Sequence, residues 1–269
     1  MKNPLPKAAF IIVALALSTP AVAQPEVRVV ARTGDEARIR PGPIQARLGE
    51  EVRLEVRMVT KGRHTVALPE GSKVRWIRVD ARMRRPEPSE RTGGGRIYAN
   101  AKMFGAQHGR WIGHDRLDYV ASEFTPGSHL SVDGNGLTLN QASASQWGGL
   151  GTVFIAAEVT LPDGSTVSTP GHTDVDRLGI SRDVMRVSFR SDDTFVGWLG
   201  TYFNVPYVFG STGPQTDHYT GTDCADAMVG ARRAMGHKRA RYTSVVGLAS
   251  QARPLTGVMR LHADGRLTD

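Results

Sequence analysis

GTVFIAAEVTLPDGSTVSTPG, residues 151–171, is the stretch that decides the fold. Val153, Ile155, Ala157, Val159 and Leu161 fall on alternate positions, the two-residue period of a strand with one buried face. Pro162-Asp163-Gly164 then reverses the chain, because proline presets the first turn dihedral and glycine tolerates positive φ. Residues Ser165 to Thr169 form the return strand. Upstream, EVRLEVRM (51–58) repeats the pattern, with Val52, Leu54, Val56 and Met58 on one face and charged residues on the other. VRVV (27–30) and VRWIRV (74–79) add two more strands, with Pro and Gly between the elements.

Together with PIQARLGEEVRLEV (43–56), this hairpin resembles bacterial immunoglobulin-like sandwich modules. The resemblance implies an N-terminal β-rich domain over residues 24–180. Residues 82–147 are rich in Gly, Pro, Ser and polar side chains, so an irregular insertion with short strands of its own is expected there.

The first residues carry Lys2 and Lys7, an apolar run from Ala8 to Leu17, and Ala21-Val22-Ala23 before Gln24. This is the pattern of a secretory signal peptide, residues 1–23, cut after Ala23. The run is shorter than the roughly 20 residues needed to cross a bilayer, so no transmembrane segment is expected in the mature chain. The expected location is the periplasm or the exterior.

The net charge is +8, from 34 Lys and Arg against 26 Asp and Glu. The excess is mostly arginine spread thinly rather than in a block, which suits anionic cell-wall polymers or lipid head groups better than nucleic acid. The five histidines up to residue 172 (His64, His108, His114, His129 and His172) lack the spacing of metal ligands, so no metal is expected, and no cofactor is implied. A single cysteine, Cys224, excludes an intrachain disulfide. A lone thiol in an oxidising compartment invites unwanted pairing, so its presence points either to chemistry or to a buried apolar role.

A second unit is expected from about residue 184, with the boundary between Gly171 and Asp183. VMRVSF (184–189) reads as its first strand, and Phe195, Trp198, Leu199 and Tyr202 in SDDTFVGWLGTYF have helical spacing. Gly197 and Gly200 weaken that helix or admit a close neighbour. CADAMVGARRAM (224–235) is rich in helix formers, with Thr222 or Asp223 to cap its start and Gly236 to stop it. Cys224 therefore opens a helix, where unpaired N–H groups and the helix dipole favour thiolate over thiol. The helical wheel puts Cys224 with Met228, Ala231 and Met235, a face expected to point inward.

Pro206-Tyr207-Val208-Phe209-Gly210 followed by Thr222-Asp223-Cys224-Ala225 is similar to the signature of NlpC-type, papain-like cell-wall cysteine peptidases. The resemblance implies that residues 184–269 are a papain-like α+β domain. It makes Cys224 the nucleophile, Tyr207 a neighbouring substrate-side or oxyanion-side residue and Asp223 a residue that shapes the turn. It also implies peptidoglycan or another cell-wall peptide as substrate. Phe209, Ala225 and Asp226 depart from the family pattern.

The family's base histidine belongs on a strand farther along than Asp269. His237 lies about 20 Å of helix away from Cys224 and is excluded. His262 is the candidate base within the chain.

Three readings stay open. One is a cell-wall amide hydrolase whose His-bearing part is missing from this sequence. Another is a transglutaminase-like thiol enzyme, since the cysteine helix and a later histidine resemble that family too. The third is a non-catalytic β-sandwich binding protein with a degenerate thiol domain.

Overall fold

The computed structural model describes residues 25–34, 39–60, 64–83, 117–124, 130–133, 135–140, 149–176, 179–208, 210–241, 243–253, 260–261 and 267–268. The expected signal peptide (1–23), Phe209 and His262 lie outside the described residues.

The strands follow the alternation of apolar side chains. They are β1 (Glu26–Thr33), β2 (Ile44–Arg47), β3 (Val52–Val59), β4 (Thr65–Ala67), β5 (Lys73–Met83), β6 (Leu117–Glu123), β7 (Leu130–Asp133), β8 (Gly136–Leu139), β9 (Gly151–Thr160), β10 (Thr166–Ser168), β11 (Val175–Asp176), β12 (Gly179–Ile180) and β13 (Met185–Arg190). One sheet runs β1-β3-β8-β7 with β4 paired to β3. The other runs β2-β13-β9-β5-β6 with β10 paired to β9, and only β2 and β13 pair in parallel. The two sheets enclose one core. Val27, Val29, Val52, Leu54, Val56, Leu137 and Leu139 face Trp76, Val153, Ile155, Ala157, Val187 and Phe189 across it.

The 151–171 hairpin forms as its sequence dictates. Val153, Ile155, Ala157 and Val159 all enter the core, and Leu161 packs at its margin. In the turn Gly164 has φ +84°, and Asp163 Oδ1 accepts from the N–H and hydroxyl of Ser165, which holds that carboxyl below its ordinary range. The alternation of β3 also holds, with Met58 at the core margin.

The described part of 82–147 supplies short strands that belong to the two sheets. β5 runs on to Met83 and pairs with β6, and β8 puts Leu137 and Leu139 into the core. The boundary expected at 171–183 needs correction. Met185–Arg190 is a central strand of the larger sheet, between β2 and β9. Met185, Val187 and Phe189 point into the sandwich core, while Arg186 and Ser188 on the opposite face are also buried. A strand covered on both faces belongs inside a sheet, so the sandwich ends only after Arg190.

Beyond it come α1 (Phe195–Gly200), α2 (Gly213–Asp217), α3 (Cys224–Ala234) and α4 (Val245–Gln251), then the two-residue strands β14 (Arg260–Leu261) and β15 (Leu267–Thr268), paired with each other. The chain is thus mixed α and β, dominated by strands. α3 packs on α1 and α2. A Cβ at Gly230 would come within 2.1 Å of Tyr202 Oη, so the contact needs glycine there.

The helical layer is tied to the outer face of the larger sheet by buried polar groups. Thr152 N–H donates to Phe203 O at 2.8 Å, and Thr152 Oγ1 donates to Thr201 O at 2.7 Å. The Thr152 proton being committed, the 2.6 Å contact with Ser188 Oγ takes its proton from Ser188. Gln45 Nε2 donates to Tyr219 Oη at 2.6 Å, and the Arg190 guanidinium lies 4.3 Å from the centre of the Trp198 ring.

Gly151 makes this join possible. It has φ +109°, and a Cβ there would fall 2.5 Å from Phe203 O. Gly151→Ala combines a strained backbone with a clash against main chain, and should destabilise the fold by about 2–4 kcal/mol. Denaturant unfolding checks this. A loss within about 0.5 kcal/mol, the range of ordinary surface substitutions, would show that the two layers can separate freely.

Candidate functional site around Cys224

Asp223 is the N-cap of α3: its backbone is extended (φ −102°, ψ 179°) and its Oδ1 accepts from Asp226 N–H at 2.8 Å. Of the two caps the sequence allows, Asp223 serves, because Thr222 is used in a short parallel bridge to Tyr207. Val208 N–H donates to Thr222 O and Thr222 N–H donates to Pro206 O, at 2.9 and 3.0 Å. This bridge brings the upstream Pro-Tyr-Val segment alongside the residues that open α3. Tyr207 is thereby paired with Thr222, two positions before Cys224.

Cys224 is the first residue of the helix and is exposed. Its position at the dipole end is as expected, but its direction is not. Ala225, Asp226, Ala227, Val229, Gly230 and Ala231 form the buried side of α3, whereas Cys224, Met228, Arg232 and Met235 face outward. The helix rests on Tyr202 and Tyr219 through small residues, and larger ones are excluded from that contact. Tyr207 is half exposed beside the helix start.

The loop from Ser211 to Gly221 is held from within. Thr212 N–H donates to Gln215 Oε1 at 2.9 Å in a capping box, and Gln215 is fully buried. Tyr219 takes a left-handed backbone (φ 57°) and stacks on Tyr202 with 5.0 Å between ring centres. Burial pushes both phenols up. Gly221 lets Val208 approach to 2.7 Å of where a Cβ would be.

One residue of this neighbourhood escaped the sequence reading as a functional group. Asp226 is 1% exposed, its Oδ2 accepts from Ser211 Oγ at 2.6 Å, and its Oδ1 has no partner among the described residues. Ser211 Oγ in turn accepts from Asp223 N–H at 2.9 Å, so one hydroxyl links the cap residue to the buried acid. Burial raises the pKa of Asp226 and the Asp223 carboxylate adds to that, while the Ser211 bond and Arg233 oppose it. The signal available in sequence was an acidic residue three positions after an acidic cap, the spacing of a capping box. Nothing in the sequence marks Ser211.

Two hollows, of about 660 and 770 Å³, open on the sandwich, and neither is lined by Cys224. Among the described residues no group of three His, Cys, Asp or Glu side chains is placed to hold a metal ion, and no helix is long and apolar enough to cross a membrane. His237 follows the far end of α3, as its position in the sequence requires. No protein-family model matches the chain, and no curated protein matches it significantly.

A carboxyl whose pKa is higher folded than unfolded stabilises the fold below its ordinary range, and that contribution is lost as pH rises through the folded value. Asp226→Asn keeps the Ser211 bond but cannot ionise. Its stability relative to the parent should therefore improve between pH 4 and pH 7. Urea midpoints of both proteins at the two pH values check this, and a constant difference would show that Asp226 carries no raised pKa.

Proposed function

We propose that the chain is an exported thiol hydrolase that cleaves amide bonds in cell-wall peptides through Cys224. The observation that carries this reading is the exposed thiol on the first residue of an eleven-residue helix, with Tyr207 held alongside by its bridge to Thr222. A helix N-terminus supplies N–H groups and positive potential, which favour a developing oxyanion.

In the proposed reaction the Cys224 thiolate adds to the amide carbonyl. The C–N bond breaks, the amine leaves with a proton, and the acyl group remains as a thioester. Water then attacks the thioester, releasing the carboxylic acid and the thiol. His262 is the proposed proton carrier. The helical part would be papain-like and the sandwich immunoglobulin-like, with the sandwich holding the substrate polymer.

One observation favours a second reading, a binding module without catalysis. The two hollows lie on the sandwich rather than at Cys224.

Two measurements separate these. Iodoacetamide should alkylate the native protein once, rapidly near pH 6, and Cys224→Ser should abolish the adduct. Release of new amino groups from purified peptidoglycan should fall on the order of 10³-fold or more in Cys224→Ala, and comparably in His262→Ala. Labelling only after unfolding, with no amine release by the parent, would leave the binding module.

A further inference from the structure

Two partly buried arginines have carboxylate partners, although Nη1 of Arg190 has no hydrogen bond among the described residues. Arg190 pairs with Asp193 at 2.9 Å and lies over Trp198, and Arg233 pairs with Asp217 at 2.7 Å. Arg186, buried to 1% exposure, has no such carboxylate partner among the described residues. Its Nη2 donates to Arg182 O, while Nε and Nη1 have no partner among the described residues. The carboxylate that acts on it electrostatically is Asp183, but Asp183 is exposed, makes no hydrogen bond to Arg186, and lies 3.9 Å from Arg28.

Arg182 adds a second positive charge here, and His218 at the end of α2 feels both: burial, then Arg186 and Arg182, lower the pKa of its imidazole, and Asp217 opposes them. Its neighbour on the same sheet face is apolar, since Phe154 is the cross-strand partner of Arg186 in β9. Desolvation lowers the Arg186 pKa to about 10, as expected of a guanidinium short of a counter-charge.

An unpaired buried cation is costly, and an apolar side chain of similar volume would be favoured in its place. We infer that Arg186, with His218 beside it, forms a binding site for a small oxyanion at the join between β13 and the helical layer. The unsatisfied Nε and Nη1 call for an acceptor with more than one oxygen. A free ion of acetate or phosphate size offers such an acceptor. Binding there would hold α2 to the sheet. The site is independent of the chemistry assigned to Cys224.

The test is thermal unfolding of the full chain, titrated with phosphate, with acetate, and with chloride, all at constant ionic strength. A ligand that binds only the folded state raises the midpoint with the logarithm of its concentration above Kd. Phosphate or acetate should raise the midpoint and chloride should not. Which of the two acts at lower concentration tells a phosphate site from a carboxylate site.

Arg186→Met should fold, with far-UV circular dichroism unchanged, and should lose the response. His218→Gln, a change at a partly exposed position, should shift the half-effect concentration upward by roughly three- to tenfold, the loss of one hydrogen bond. Cys224→Ser should respond like the parent, which keeps failure of this site distinct from failure of the thiol reading. A flat parent response, an equal response to chloride, or an undiminished response in Arg186→Met would overturn the assignment.

Discussion

A strand buried on both faces has to satisfy two different surfaces at once, and Met185–Arg190 is that strand here. Toward the sandwich it offers Met185, Val187 and Phe189, which interdigitate with the facing sheet. Toward the helices it offers Arg186 and Ser188, both buried, and the partly buried Arg190, and burial there is costly wherever a polar group is left unpaired. The helical layer is fixed to the sheet because Thr152 of the next strand, itself bonded to Ser188, reaches Thr201 and Phe203, and Gln45 of β2 reaches Tyr219. Polar joins of this kind fix register, since each donor must meet its acceptor within a few tenths of an ångström. An apolar join of equal area would permit sliding.

That constraint explains which parts of the fold were legible in the sequence. Alternation in 51–58 and 151–161 gave both the strands and the side that is buried, because one face meets a core and the other meets water or small side chains. β13 was legible as a strand but not as a sandwich strand. Arg186 and Arg190 look like solvent-facing residues, and only tertiary packing makes them interior. The strands hidden in 82–147 were obscured in the same way. β8 is only four residues long, and Leu137 and Leu139 acquire meaning only through their pairing with β3.

At Cys224 the local rules did better than the longer-range ones. Capping chemistry placed the start of α3 within one residue, and a bridge pairs Tyr207 with Thr222 just before the cap. The direction of the thiol was misread because a helical wheel ranks faces by hydrophobicity. α3 instead buries its smallest residues, Ala225, Ala227, Gly230 and Ala231, since the tyrosine pair beneath leaves no room for larger ones. Met228 and Met235 are displaced outward by size, and Cys224 goes with them. The Ser211 link was not legible, since a loop hydroxyl twelve residues before the cap carries no sequence mark.

The exposure of Cys224 and the burial of Asp226 follow from one cause. Both belong to the first turn of α3, and the helix is rotated so that its third residue enters the layer beneath while its first remains outside. That rotation is set by Gly230 against Tyr202, two turns away, and Tyr202 is held by its stack on Tyr219, whose phenol is anchored to Gln45 of the sheet. A chain of rigid contacts therefore runs from the sandwich to the thiol: sheet, Gln45, Tyr219, Tyr202, Gly230, helix. The orientation of Cys224 is a property of the whole fold rather than of the loop before it, because turning α3 to bury the sulfur would replace Gly230 by a larger residue against the Tyr202 hydroxyl, where even a Cβ does not fit. The sandwich is thus the frame that aims the thiol as well as a candidate surface for a polymer.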